Sequence, residues 1–279
     1  VQTWRIINIE KGLMGHVDTL VGQLYVEERG AGAVLLCWPS LFCDSRTLQP
    51  IIDEFARDHR VIVIDGPGHG KSGSSGRRFS LADCADAAMR VLDAMNVERA
   101  TWIGAAWGGQ VGVFAAVRHR DRVRGLIVMN APMAEWSGRR RALFWTTYLL
   151  LRWLGPRLFV PRAIAEAQIA PSVRLAHPDR VEVIMDCIRA SDRRGLVLAV
   201  RSAMLDRPSL LPQLPHVRVP TLFVTGAEDG LFPVDVAHQQ AGLIPDARFV
   251  VAEGTAHQSV WEAPEKVLPL LREFIDRVD

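Results

Sequence analysis

Three short turns carry the residues that could do chemistry: GAAWGG at 104–109, GAEDGLFPVD at 226–235 and GTAHQ at 254–258. His257 follows an apolar run, in a loop from which an imidazole can turn toward a cleft and exchange a proton near neutral pH. Asp229 lies just past the run PTLFVTG, with Glu228 and Asp235 as competing neighbours; Asp235 stands where a helix opens. A carboxylate placed there could fix an imidazole's tautomer and stabilise its cation. The first turn is the most crowded. The apolar run ATWIGA passes into a helical pattern through Gly104, Gly108 and Gly109, the crowding that a nucleophile on a strained strand-to-helix turn requires. Its central residue is Ala106, which has no atom that can attack. A fourth turn, IDGPGHGKS at 64–72, resembles a phosphate cradle, but its spacing is not that of a nucleotide-binding loop and it opens no helix directly. Its glycines are read as tight-turn residues, with His69 packed beneath the site.

Those turns need a frame. Strands are expected at 20–27, 33–38, 61–65, 100–105 and 125–130, alternating with helices at 48–58, 81–95 and 108–119. The strand runs are apolar throughout, as in a parallel sheet covered on both faces. After Pro132 the strand signal stops, and 134–212 reads as helical, aromatic and arginine-rich, interrupted by prolines at 156, 161, 171, 178 and 208. The earlier rhythm returns with strands at 220–226 and 247–253 and helices near 234–243 and 260–277. This describes one α/β core domain, 1–133 with 213–279, into which 134–212 is inserted as a helical cap.

Of 279 residues, 49% are hydrophobic and 23% charged, too apolar for a disordered chain and sufficient for a large core. Thirty-three basic residues against 31 acidic ones give a net charge of +2, no electrostatic reason to expect a nucleic acid. The run RHRDRVR at 118–124 and the triplet Arg139–Arg141 are read as solvated faces. Cys37, Cys43, Cys84 and Cys187 form no C-x-x-C pair, so neither a zinc site nor a redox dithiol is indicated. The segment VQTWRIINIEKG has no apolar leader core, and no stretch approaches eighteen uncharged apolar residues. Neither a signal peptide nor a membrane span is read, and a cytoplasmic location is expected.

Taken in chain order, CWPS at 37–40, DGPGHGKS at 65–72, GAAWGG, a helical cap, GAEDGLFP and GTAHQ make the sequence resemble the alpha/beta-hydrolase fold family over nearly its whole length. The resemblance implies a mostly parallel central sheet flanked by helices, with an inserted cap. It puts the nucleophile position on Ala106, the acid on Asp229 and the histidine on His257, in the family's chain order. An acid position used by some relatives falls near Asn130, which has no charge, with Glu135 farther along. The implied oxyanion donors are the main-chain N–H groups of Trp107 and, because Pro39 has none, of Ser40. Such a triad needs neither metal nor nucleotide, and no cofactor is expected.

Two chemistries fit that position. Serine at 106 would hydrolyse a carboxylic ester or lactone through an acyl-enzyme, the preferred reading. Aspartate would resemble haloalkane dehalogenases, an option that Trp107 keeps open, or epoxide hydrolases, which expect two cap tyrosines where this chain has only Tyr148. With Asp229, His257 and the glycines intact, alanine reads as a replaced nucleophile in an inactive variant; a non-catalytic binding protein is the alternative. The pocket is expected from Trp38, Leu41, Trp136, Trp145, Tyr148 and Phe232, giving a mainly apolar small-molecule ester or lactone as substrate. No nucleic-acid or membrane partner is expected, and a homo-oligomer is left open.

Overall fold

Runs of six to eight residues rich in Val, Leu and Ile cannot be left in water, and here they pair edge to edge. The computed structural model describes residues 4–9, 12–157 and 160–279. The first residues of the expected core segment (1–3), positions 10–11 of the leader reading, and 158–159 of the expected cap lie outside the described residues. Among those described, nine strands form one sheet: β1 Trp4–Ile9, β2 Gly12–Thr19, β3 Gly22–Arg29, β4 Ala33–Trp38, β5 His59–Ile64, β6 Ala100–Ala105, β7 Val123–Met129, β8 Thr221–Gly226 and β9 Ala247–Ala252. Their spatial order is β1-β2-β3-β5-β4-β6-β7-β8-β9. The pairs from β5 through β9 are parallel, and the three that join β1, β2, β3 and β5 are antiparallel. β1 and β2 were not anticipated in the sequence. β2, with two glycines, a histidine and an aspartate, presents no continuous apolar run because much of it is only half-buried.

Alternation along each central strand feeds two apolar layers. Leu35 and Cys37 of β4 point into one, Leu36 and Trp38 into the other. The first layer is closed by α1 (Gln49–Phe55) and, from the far end of the chain, α10 (Ser259–Glu262) and α11 (Pro264–Val278). The second is closed by α2 (Leu81–Ala94) and α3 (Trp107–Arg118), and it continues without a break into the inserted helices. Those are α4 Gly138–Leu154, α5 Val160–Glu166, α6 Pro171–Ala176, α7 Pro178–Ala190 and α8 Arg193–Val200, followed by a π-helical turn at Arg201–Leu205. α9 (Val234–Ala241) follows β8. The prolines at 171 and 178 start helices rather than merely interrupting them, since each occupies the first turn, where its missing N–H costs nothing. The architecture is an alpha/beta-hydrolase fold: a mostly parallel sheet flanked by helices, with a helical cap inserted between β7 and β8.

Candidate active site

At the junction of β6 and α3 the backbone turns through Ala106 with φ 44° and ψ −102°, a conformation that L-residues rarely adopt. Holding it costs on the order of 1–3 kcal/mol, so the surroundings must over-determine it. They do. The Ala106 N–H donates to the Met129 carbonyl at 2.7 Å, and its own carbonyl accepts from Gln110 N at 3.0 Å. A Cβ on Gly104 would stand 2.3 Å from the Gly108 carbonyl, and one on Gly108 would stand 2.0 Å from the Trp38 carbonyl. Only glycines let α3 start this close to the strands, and the Trp102 indole N–H donates to the Gly108 carbonyl at 3.0 Å to hold it there.

The loop after β8 and the loop after β9 meet beside this turn. His257 Nδ1 lies 2.9 Å from Asp229 Oδ2. The other oxygen, Oδ1, accepts the main-chain N–H groups of Leu231 at 2.9 Å and Phe232 at 3.0 Å. Both carboxylate oxygens thus serve as acceptors, which puts the shared proton on Nδ1 and leaves Nε2 of His257 as the acceptor. Asn130, at φ 52°, joins the pair: its amide donates to Asp229 Oδ2 at 3.0 Å and to the Ala256 carbonyl at 2.8 Å, and its oxygen accepts from Ser259 Oγ at 2.7 Å. The alternative acid position therefore braces Asp229 instead. Glu228, Glu135 and Asp235 are exposed.

Across from His257 runs the turn after β4. The main-chain N–H groups of Ser40, Leu41 and Trp107 have no hydrogen-bond partner among the described residues. Phe42, at φ 72°, donates its N–H to His69 Nε2 at 3.1 Å, and His69 Nδ1 reaches the Pro67 carbonyl at 3.2 Å. Burial pushes the His69 imidazole down to about 4, so it stays neutral and serves as a peg between the two loops.

Ser40, Leu41, Ala106, Trp107 and His257 open onto one cavity of about 290 Å³. The rest of its wall is largely apolar and comes mostly from the cap, including Trp136, Phe144, Ile164 and Met204, with Phe42, Gln110, Pro132 and Leu231 from the core. Of the residues expected to line it, Leu41 and Trp136 do so. Trp38, Trp145, Tyr148 and Phe232 do not. Trp38 is fully buried beneath, stacked on Trp102 at 6.2 Å and edge-on to Trp107 at 5.6 Å. The period of α4 presents Leu143, Phe144 and Thr147 to the cavity and turns Trp145 and Tyr148 toward Arg201 on another face. Phe232 packs on Phe223 at 6.2 Å, and Leu231 takes the place expected of it.

Three wall or hinge residues had no sequence signal. Gln110 donates to the Pro132 carbonyl at 2.8 Å, and Gln168 accepts the His257 N–H on its carbonyl at 3.1 Å. Arg207, 6% exposed, donates to the carbonyls of Ala203 at 2.9 Å, Met133 at 3.2 Å and Pro132 at 3.1 Å, which ties the π-helical turn to the core. An arginine in a charged stretch gives no hint of such burial, which pushes its guanidinium down to about 10.

The family model of the alpha/beta hydrolase fold matches residues 35–155. The pimeloyl-acyl-carrier-protein methyl ester esterase of Edwardsiella ictaluri is 31% identical over 246 residues, 81% of this chain and 86% of that protein. Among solved structures, a thermophilic esterase from Thermogutta terrifontis has a TM-score of 0.86 at 24% identity, covering 100% of this chain and 99% of the other. The enol-lactonase from Burkholderia xenovorans also gives 0.86, at 20% identity over 94% of this chain and 99% of its own. The chain belongs to the alpha/beta hydrolase fold family.

Proposed function

We propose that this chain is a carboxylic ester or lactone hydrolase in design, laid out for a Ser-His-Asp mechanism, with Ala106 at the nucleophile position. The observation that carries the reading is the strained turn at Ala106 set beside the Asp229–His257 pair and facing unpaired N–H groups. A hydroxyl at 106 would attack the carbonyl while His257 Nε2 takes its proton, and the oxyanion would gather on the N–H groups of Trp107 and of the Ser40–Leu41 turn. The imidazolium would then protonate the leaving alcohol, and the same nitrogen would activate water to cleave the acyl-enzyme. With a methyl group at 106 the first bond cannot form. The relatives' ester and lactone chemistries support the substrate class. The apolar wall favours a small apolar acyl group or ring. In this reading the core, 1–133 with 213–279, holds the reacting groups and 134–212 selects the substrate.

The test is Ala106→Ser assayed beside the unaltered chain on short and long acyl esters and a lactone panel. Serine is expected to raise kcat by ~10³-fold or more, with a burst of acyl-enzyme. A second reading is kept because Trp107 lines the cavity and its indole N–H has no hydrogen-bond partner among the described residues. If Ala106→Ser stays inactive while Ala106→Asp releases halide from haloalkanes, the ester reading falls and the dehalogenase replaces it. If both stay inactive, both hydrolytic readings fall and the non-catalytic binding protein becomes the reading to test by ligand binding.

A further inference from the structure

Glu262, on α10, stands outside the triad positions, yet its carboxylate grips the loop that carries His257. Oε1 accepts the main-chain N–H of Ala256 at 3.0 Å and of Gln258 at 2.9 Å. Oε2 accepts the Ala256 N–H at 3.1 Å and, from the cap, that of Ala170 at 2.7 Å. The N–H between them, that of His257 itself, goes to the cap carbonyl of Gln168 at 3.1 Å. Three successive N–H groups are therefore fixed, and cap residues 168–170 take part at both anchors. The Gln258 side chain adds a donor to Gln168 Oε1 at 2.7 Å, Trp261 Nε1 donates to the Arg180 carbonyl at 3.2 Å, and the Arg180 guanidinium donates to the Glu262 carbonyl.

Glu262 is 2% exposed, and among the described residues no cation contacts its carboxylate. Burial pushes this carboxyl above its ordinary range, against the pull of the amide donors of Ala170, Ala256 and Gln258 and of His257. A bracket in which both oxygens accept N–H groups is best made by an ionised carboxylate, and a buried charge is costly unless it also acts on something. A nearby group that gains from a negative charge there is the His257 imidazolium. The charged groups around that ring are Asp229 from the loop after β8 and Glu262 from α10, with Arg180 of α7 reaching only the Glu262 carbonyl.

We infer that Glu262 is a positioning residue for His257: it orients the imidazole against Asp229 and locks that orientation to cap residues 168–170, so that the base is aligned while the cap is seated. Gln168 and Ala167 also line the cavity, so an occupant that presses on this wall acts on the same lock. The inference rests on His257 being the base of the proposed reaction.

Two readouts separate its failure from failure of that reaction. In the unaltered alanine chain, the His257 ring is titrated by NMR with and without Glu262→Gln. Removing the charge is expected to lower the pH at which the ring protonates. In the Ala106→Ser background, Glu262→Gln is expected to lower kcat on the order of 10²-fold with little change in KM, the cost of a misaligned base. If the titration and kcat are both unmoved while the melting temperature drops, Glu262 is structural only and the inference is wrong. Should Glu262→Gln fail to fold, Ala170→Pro removes the cap N–H and leaves the carboxylate in place; φ at 170 is −56°, which proline accepts, and Ala170→Val, which keeps the N–H while adding bulk at this buried position, is the control. It is expected to lower kcat by about tenfold, and an unchanged kcat overturns the lock. An inactive Ala106→Ser chain would sink the hydrolase reading and leave the titration as the deciding test.

Discussion

At the scale of single residues, Asp229 and His257 set each other's acidity. Burial works to raise the Asp229 carboxyl, but the His257 charge, the hydrogen bond to it and the donors Asn130 and Phe232 together hold it below the usual carboxylate range. Burial likewise opposes the His257 cation, and there Asp229, with a smaller contribution from Glu262, outweighs it and raises the imidazole above its ordinary 6.5. An imidazole must be neutral to act as a base. In the Ala106→Ser chain, kcat/KM is therefore expected to rise with pH through a midpoint above 6.5; a midpoint below that value would mean that burial had won. Stability has the matching signs. The raised His257 contributes stability that is complete below its unfolded value and is lost as pH rises through its folded value. The depressed Asp229 contributes stability present above its unfolded value and lost as pH falls through its folded one. Urea midpoints measured across pH should peak between these two limits.

At the scale of elements, most of the frame was legible and much of the wall was not. β4 and β6 begin and end where the apolar runs 33–38 and 100–105 do, because both faces of these strands are buried and the pattern has no competing explanation. The turn at Ala106 was legible because glycines mark a place where backbones must touch, whereas the pairing of the loops after β8 and β9 was an expectation only of the family resemblance carried by GAEDGLFP and GTAHQ. The cap was legible only as helical. Its helices are amphipathic toward more than one neighbour, so spacing alone could not say that Phe144 rather than Trp145 faces the cavity. Gln168 and Arg207 act through main-chain groups, which leave no trace in residue type. Arg207 gives a test of that hidden layer. Arg207→Met takes one of two donors from the Pro132 and Met133 carbonyls, which keep the Gln110 amide and the Leu210 N–H, and removes the guanidinium from the Ala203 carbonyl; it is expected to destabilise the fold by about 1–3 kcal/mol in urea unfolding. A loss under about 0.5 kcal/mol, the scale of a surface change, would show that the guanidinium is dispensable.

At the scale of the whole molecule, cap and core share one apolar interior. Leu151, Ile184 and Val200 of the cap lie in the same buried cluster as Trp102, Val111 and Phe223 of the core. The cap cannot open fully without exposing that shared surface, so calorimetry is expected to show a single unfolding transition with calorimetric and van't Hoff enthalpies in agreement. A separate low-temperature peak would show that the cap melts alone. Charge is divided differently: thirteen arginines against seven acidic residues fall between 134 and 212, so the near-neutral total conceals a basic cap on a mildly acidic core. The methyl group at position 106 has a consequence for how such a protein is found. Phosphonylating probes that mark serine hydrolases in a cell extract need an oxygen where this chain has carbon, so a survey of that kind passes over it. A non-covalent ester mimic that fits the cavity would be needed to bring it to light.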